Sequence, residues 1–375
     1  MRTLPLKTRA RHNDGRCETT GEVPPTPPPP IRGRGVPSNP PNRFETVHLE
    51  MDPPDGDDDS PRTTFIRDAT RTILSRNDSP DISFSASINP YRGCEHGCAY
   101  CYARPTHEYL GMSAGLDFER KILVKERAPE LLRRELAAPS WRPQTLAMSG
   151  VTDPYQPIER RLLLARGCLE VLCDYRNPVF VVTKNHLVTR DIDLLSELAR
   201  HGCARVFVSV TTLRSELARV MEPRTSIPAR RLDAIARLAA AGVPVGVFVA
   251  PVVPGLTDEE MPSILRAAAG VGAEHASFLL LRLPGAVAGL FTEWLETHYP
   301  GRRKKVLARL REARGGRLNE SRFHKRFRTD NHYTSQLLGL FRATARSVGL
   351  ATKPPPLGTE AFRRGGGVQT ELFGD

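Results

Sequence analysis

The sequence predicts an α/β protein: a partial barrel of six parallel strands in (β/α)6 order, set between disordered N- and C-terminal tails. Three observations carry that expectation. Six short runs rich in Val, Leu, Ile and Phe recur between residues 83 and 282. Most of them lack polar–apolar alternation, as parallel strands buried on both faces should. The segments between them hold helix start and stop signals, and proline crowds the N-terminal end, with twelve of the 33 prolines in residues 1–60.

Residues 1–60 carry Pro24-Pro25, the run Pro27 to Pro30, and an acidic cluster from Asp55 to Asp59 broken by Gly56. Such a composition buries too little apolar area to offset its ordering entropy, so disorder is expected there. The strands are expected at Ser83–Ala86, Thr145–Ser149, Val179–Thr183, Arg205–Val210, Val243–Val249 and Ser277–Arg282. Among the helices, Thr189 or Asp191 caps one that carries Ile192, Leu195 and Leu198 and stops near Gly202. Another follows Ser226, has Pro228 in its first turn, presents Leu232, Ile235 and Leu238, and stops at Gly242. Thr257-Asp-Glu-Glu260 reads as a capping box before Ile264 and Leu265. Strand alternating with helix implies right-handed crossovers around one parallel sheet, and six units are too few for an ordinary eight-stranded barrel. The expected division is a barrel over residues 80–300, a basic helical extension over 301–350 packed on it, and a flexible tail over 353–375.

Composition narrows the function classes. No apolar run reaches the roughly 18 residues that cross a bilayer, and no apolar stretch follows the basic N-terminus as in a secretory signal. Three of the seven cysteines crowd into eight residues and the other four are scattered, which is not a disulfide framework. A reducing cytoplasm is the expected compartment. Net charge is +12, and residues 301–330 hold twelve Lys/Arg against three acids. Such a patch either attracts phosphate backbones or is the solvated face of a helix whose Val306, Leu307, Leu310 and Leu318 point inward.

The chemistry is concentrated in Tyr91-Arg-Gly-Cys94-Glu-His-Gly-Cys98-Ala-Tyr-Cys101-Tyr102, a C-x3-C-x2-C spacing directly after the first strand. Three thiolates on one tight loop, with glycines to bend it, can converge on one inorganic centre. A closed zinc site needs a fourth ligand, and only His96, inside the loop, is at hand. His107-Glu108 lacks the second histidine of a zinc-protease helix and reads as ordinary helix surface.

This loop resembles the cluster motif of the radical S-adenosylmethionine (SAM) superfamily. From about Ser83 to Gly349 the chain is similar to the spore photoproduct lyase-related branch, through Asn89-Pro-Tyr-Arg-Gly-Cys94, Thr152-Asp-Pro-Tyr-Gln-Pro157, Thr183-Lys184, Ser209-Val-Thr-Thr-Leu213 and Glu222-Pro-Arg224. The resemblance implies a [4Fe–4S] cluster on Cys94, Cys98 and Cys101, with its fourth iron open to the amino and carboxylate groups of SAM. It implies reductive cleavage of SAM to a 5′-deoxyadenosyl radical that abstracts hydrogen from a substrate, and an electron donor of flavodoxin or ferredoxin type. It places Tyr100 against the adenine, Ser149, Thr152 and Asp153 at the SAM ammonium, and Lys184 and Ser209 on the carboxylate or ribose side. Ala250-Pro-Val-Val-Pro-Gly255 falls at the adenine-side turn, and Arg282 at the end of the sixth strand.

The branch's lyases return hydrogen through a cysteine near the second-strand motif, relayed by tyrosines that correspond to Tyr100 and Tyr102. Here Met148-Ser-Gly-Val-Thr152 holds no thiol, and Cys168 and Cys173, a helix away, read as buried apolar residues. The resemblance therefore carries the SAM chemistry and leaves the substrate open, with nucleic acid favoured by the basic segment. Glu222-Pro223-Arg224 either contacts a bound ligand or staples a loop. The rival reading is a non-catalytic Fe–S or zinc protein that binds nucleic acid.

Overall fold

The computed structural model describes residues 29–44, 62–82, 84–326 and 331–364. Six strands form its centre: β1 (Ala86–Ile88), β2 (Leu146–Met148), β3 (Val179–Thr183), β4 (Ala204–Ser209), β5 (Val245–Val252) and β6 (His275–Leu280). They lie side by side in chain order and all neighbours are parallel. A short antiparallel strand, Leu74–Arg76, pairs with the free edge of β1. The order is linear, so the sheet is open. Every residue of β2 and β4 is buried, which explains why these runs do not alternate polar with apolar residues.

Helices separate the strands: α1 (Ala128–Ala137), α2 (Leu164–Tyr175), α3 (Ile192–Arg200), α4 (Pro228–Ala240) and α5 (Met261–Gly270). Their apolar faces join the sheet in one large core. Cys168 is fully buried within it and Cys173 packs against its margin, so both behave as small apolar residues. After β6 come α6 (Val287–His298), α7 (Pro300–Ala313) and α8 (His332–Ser347). Val306, Leu307 and Leu310 of α7 are buried and Leu318 packs beside them, as the periodicity of the basic segment predicts.

Several boundaries differ from the sequence reading. The first strand begins at Ala86 rather than ending there, because the chain before it turns, with Ile82 N bonded to Ser79 O and Asn77 N to Ser85 O; Ser83 itself lies outside the described residues. β5 starts two residues late, since Val243 N closes the end of α4 on Leu238 O, and it runs on to Val252. Gly242, at φ +72°, ends α4 as expected.

The capping box at Thr257 does not form. Thr257 Oγ1 accepts instead from Val253 N (2.9 Å), and Glu260 accepts from Thr212, Leu213 N and Arg214. Asp191 directs its carboxylate to Arg166 and Arg190 rather than to the start of α3.

Parts of both expected tails are built into the protein. Residues 29–44 form a strap in which Val36 is 1% exposed. Near the other end Phe362 packs against the core and Arg363 N bonds to Tyr175 O. Most of the remaining residues expected to be disordered, 1–28, 45–61 and 365–375, lie outside the described residues.

Candidate active site

The chain leaves β1 at Asn89-Pro90 and enters a small sheet in which Tyr91–Arg92 pairs antiparallel with Lys121–Val124, itself parallel to Thr64–Arg67. Tyr91 is fully buried and donates to Glu159 Oε2 (2.5 Å). This anchors the entrance of the cysteine loop. Two turns with left-handed glycines, Gly93 (φ +82°) and Gly97 (φ +63°), then bend the chain. A Cβ on Gly93 would lie 2.9 Å from Phe118 O, and one on Gly97 2.6 Å from Glu119 Oε2, so neither position has room for a side chain.

Cys94 and Cys98 are buried, Cys101 is half-buried, and none forms a disulfide. Cys101 shares one apolar cluster with Cys94 and another with Cys98, which makes the three thiols neighbours. Burial, then the Glu222 carboxylate, pushes the Cys98 thiol well above its ordinary range; burial, then Cys94, raises Cys101 to about 11. Cys98 and Cys101 therefore ionise only beside a strong positive charge, which a bound cationic metal centre would supply. Among the described residues no three His, Cys, Asp or Glu side chains converge as a site for a single ion. A donor set of three thiolates fits a cluster, which spreads them over different irons.

His96 is no fourth ligand in this arrangement. Asn185 Oδ1 accepts from Leu187 N (3.0 Å) and Ser226 Oγ (3.2 Å), so its NH2 group faces His96 Nε2 at 3.1 Å. Nδ1 lies 3.4 Å from Asp153 Oδ2, so both ring nitrogens already face a side chain of the protein.

The loop is braced from every side by residues whose partners the sequence does not show. Fully buried Arg104 donates to Cys98 O through Nε (3.1 Å) and Nη2 (2.9 Å), and to Gly115 O. It pairs with buried Glu119 at 2.5 Å, whose other oxygen accepts from Gly35 N of the strap (3.0 Å). Gly35 sits so close that a Cβ there would lie 1.6 Å from Gly97 O. Ala99 N bonds to Met221 O (3.0 Å).

Thr152 and Asp153, expected at a ligand's ammonium, spend their polar atoms on this bracing. Thr152 Oγ1 donates to Gly93 O (2.7 Å). Asp153 accepts from Thr183 Oγ1 (2.7 Å), Tyr155 N (2.9 Å) and Lys184 N (2.8 Å), besides facing His96. Ser149 is half-buried just past β2.

The remaining residues meet around Lys184, whose backbone N–H bonds to Asp153. Lys184, after β3, donates to Ala250 O (2.8 Å), stands 3.5 Å from Glu222 Oε1, and lies 5.8 Å from the centre of the Tyr100 ring. Glu222, 1% exposed, also accepts from Tyr100 Oη, from Thr211 Oγ1 (2.7 Å) and from buried Arg231 (2.5 Å). Burial opposes its charge, but Arg231 and then Lys184 outweigh that and hold its pKa at about 2. Arg231 in turn donates to Ser209 O (3.1 Å), which places Ser209, the last residue of β4, in the same group.

Tyr100 and Tyr102 are not in one network. The first is buried on Glu222, whereas Tyr102 is 53% exposed and donates to Gly150 O (2.7 Å). Thr211 and Arg231 escape a sequence reading; Thr211 follows β4 within Ser209-Val-Thr-Thr and was the more detectable. His107 and Glu108 are buried rather than on a helix surface, with His107 Nε2 2.9 Å from Lys121 O and Glu108 paired with Arg43 of the strap.

Comparison with known proteins agrees with this geometry. The radical SAM superfamily model matches residues 88–268, from the end of β1 to α5. An uncharacterised protein of Mycobacterium tuberculosis is 40% identical over 233 residues, 62% of this chain and 67% of its own. One of Methanocaldococcus jannaschii is 30% identical over 173 residues, 46% and 62% respectively. Among solved structures, spore photoproduct lyase complexed with dinucleoside spore photoproduct superposes with a TM-score of 0.56 at 18% identity, covering 77% of this chain and 81% of that one. A mutant of that lyase with bound SAM and the same dinucleoside gives 0.55 at 18%, covering 77% and 80%.

Proposed function

This chain belongs to the radical SAM superfamily, and from that premise we propose that Cys94, Cys98 and Cys101 hold one [4Fe–4S] cluster whose open iron binds SAM. When bound, the pair supplies reductive cleavage of SAM and a 5′-deoxyadenosyl radical that takes hydrogen from a substrate. The observation that carries the reading is the loop itself: three neighbouring, unpaired thiols, braced by buried polar contacts and set at the C-terminal ends of parallel strands.

The chain's own residues then divide the work. Arg104, Glu119, Thr152 and Asp153 hold the loop in shape. Lys184, Ser209 and Tyr100 line the side on which SAM lies, with Lys184 placed to meet its carboxylate and Ser149 at the β2 end to meet its ammonium. Glu222 keeps Lys184 oriented. Tyr102, exposed beside Gly150, is the tyrosine placed to face a substrate.

A nucleic-acid substrate is the class we favour. Arg302, Lys304, Lys305, Arg311 and Arg317 are exposed on and after α7, and the lyase of shared fold is complexed with a dinucleoside. Other cations of the segment are committed elsewhere: Arg309 to Asp258, Arg303 to Glu296, and Arg314 to the carbonyls of Leu280 and Leu281. Among the described residues no helix is long and apolar enough to cross a membrane.

The test is anaerobic reconstitution with iron and sulfide, followed by dithionite and SAM. Wild type is expected to release 5′-deoxyadenosine and Cys98→Ala none. A loaded protein that binds SAM but cleaves none of it would leave a structural Fe–S protein.

A further inference from the structure

Each central strand has two faces, and the helices cover one of them. Val181 of β3, Val206 and Val208 of β4 and Val247 of β5 join the helices in the large core. The residues between them point the other way, onto the inner face of the sheet. The register aligns these in rows: Phe180 beside Arg205, then Phe207, Gly246 and His275, then Ser209 and Phe248. Phe207 meets Phe180 edge-on, with centroids 5.4 Å apart, and Phe248 at 6.4 Å, so an aromatic wall crosses three strands. Gly246 makes room for it, since a Cβ there would lie 2.7 Å from Phe207 Cε1 and 2.9 Å from His275 O. Phe180 and Phe248 are only half-buried. Among the described residues none of the three rings belongs to a buried apolar cluster.

Arg205 stands at the foot of this wall. It is 8% exposed, makes no hydrogen bond or ion pair with a described residue, and its Nε is buried without an acceptor. His275 is also 8% exposed; its Nδ1 is buried without a partner and its Nε2 lies 3.8 Å from Glu274. Glu274 is the one carboxylate whose charge acts on Arg205, and among the described residues it forms no ion pair with it. Burial lowers the pKa of both bases, and at His275 the Arg205 charge adds to the lowering. Burying a guanidinium without a counter-ion is costly, so the pair calls for an anion that the chain itself does not provide. It lies near the N-terminal edge of the sheet, four residues along β4 from Ser209. That is about 13 Å at roughly 3.3 Å per residue. No residue proposed for the cluster stands there.

We propose that the inner face of β3 to β6 is a binding site for a small planar anion, an aromatic ring bearing one carboxylate or phosphate. The ring lies on Phe180, Phe207 and Phe248. Arg205 meets the acid through charge-assisted hydrogen bonds, and His275 adds another from Nδ1 in the tautomer that carries its proton there. The site stands apart from the cluster reading, and its test needs no turnover.

The test is calorimetry on the full-length, cluster-loaded protein under anaerobic conditions, with naphthoate, naphthyl phosphate and the uncharged naphthamide as probes. Wild type is expected to bind one of the two anions more tightly than the amide by about tenfold or more. The anion that binds more tightly identifies the acid. Arg205→Met keeps the stem and removes the charge; it should weaken that anion by about tenfold or more and leave the amide within about twofold of wild type. Phe248→Leu should weaken anion and amide alike. Because Arg205 has no partner to lose, Arg205→Met should melt no lower than wild type. Neither anion binding wild type at millimolar concentration overturns the proposal, as does an anion that binds Arg205→Met as tightly as wild type. A thermal midpoint that falls in Arg205→Met makes Arg205 a structural residue and equally overturns it. Inorganic phosphate that binds as tightly as naphthyl phosphate removes the aromatic wall from the site and overturns the planar ligand.

Discussion

Replacing Glu222 by glutamine keeps the shape of the side chain and removes its charge. Glu222 is 1% exposed and its two oxygens receive Tyr100, Thr211, Arg231 and, at 3.5 Å, Lys184. With its oxygen kept on Arg231, the new amide turns its NH2 group toward Tyr100, Thr211 and Lys184, where the two hydroxyls can accept but the ammonium cannot. Arg231 has no exposed surface and keeps only neutral partners: Ser226 O (2.7 Å), Ser209 O (3.1 Å) and Thr225 Oγ1 (2.6 Å). Leaving a buried guanidinium without its counter-ion costs about 3–5 kcal/mol. For a chain of this size that is roughly 5–10 °C in the thermal midpoint. The assay is thermal unfolding of the cluster-free protein, with iron and sulfide counted per chain after reconstitution, because Ala99 of the cysteine loop hangs on Met221 next door. The double variant Glu222→Gln/Arg231→Met removes both charges and should lose less than the sum of the single changes. A Glu222→Gln protein that melts within about 1 °C of wild type and loads its full complement of iron would refute the reasoning.

Gly35→Ala forces a methyl into the space of Gly97 O and should cost about 1–3 kcal/mol through overpacking, seen as a lower midpoint and poorer iron retention; unchanged values for both would show that the strap does not hold the loop. Acid should act through Glu222, whose folded pKa of about 2 lies below the ordinary 4.5. Its contribution, about 3 kcal/mol, is then complete above pH 4.5 and lost as the pH falls toward 2. Urea unfolding of the cluster-free protein between pH 5 and 3 reads this, and Glu222→Gln should flatten the slope. Lys184→Met should bind SAM at least tenfold more weakly while leaving cluster content unchanged, measured by equilibrium dialysis beside an iron assay; equal affinity would remove Lys184 from the SAM side.

The alternating architecture was legible because parallel strands buried on both faces need continuous apolar runs, and Val179–Thr183 lies where its run of Val and Phe puts it. The end of α4 was legible from Gly242 for the same local reason. The cysteine loop was legible as well, since its spacing and glycines are local. What holds that loop was not. Glu119 lies 15 residues from Arg104 and 84 from Gly35, and nothing in the spacing of a lone Arg, Glu and Gly announces that they meet. The strap was misread on composition: its prolines lower apolar content, yet Val36 and Arg34 are buried because Glu119 and Thr63 receive their neighbours' polar atoms. Thr152 and Asp153 were found at the expected rim, but the sequence could not show that their oxygens are already engaged by Gly93, Thr183 and Lys184. The same limit applies to Tyr100 and Tyr102, which are two residues apart yet stand in opposite environments.

The central claim is a cluster on three cysteines with one iron open to SAM. Electron paramagnetic resonance of the dithionite-reduced protein, recorded with and without SAM, tests it most directly. The account predicts a reduced [4Fe–4S] signal whose g values shift when SAM is added, and the loss of that signal in Cys94→Ala, Cys98→Ala and Cys101→Ala alike. A reduced signal that SAM leaves unchanged, or one that survives in any of the three variants, would contradict it.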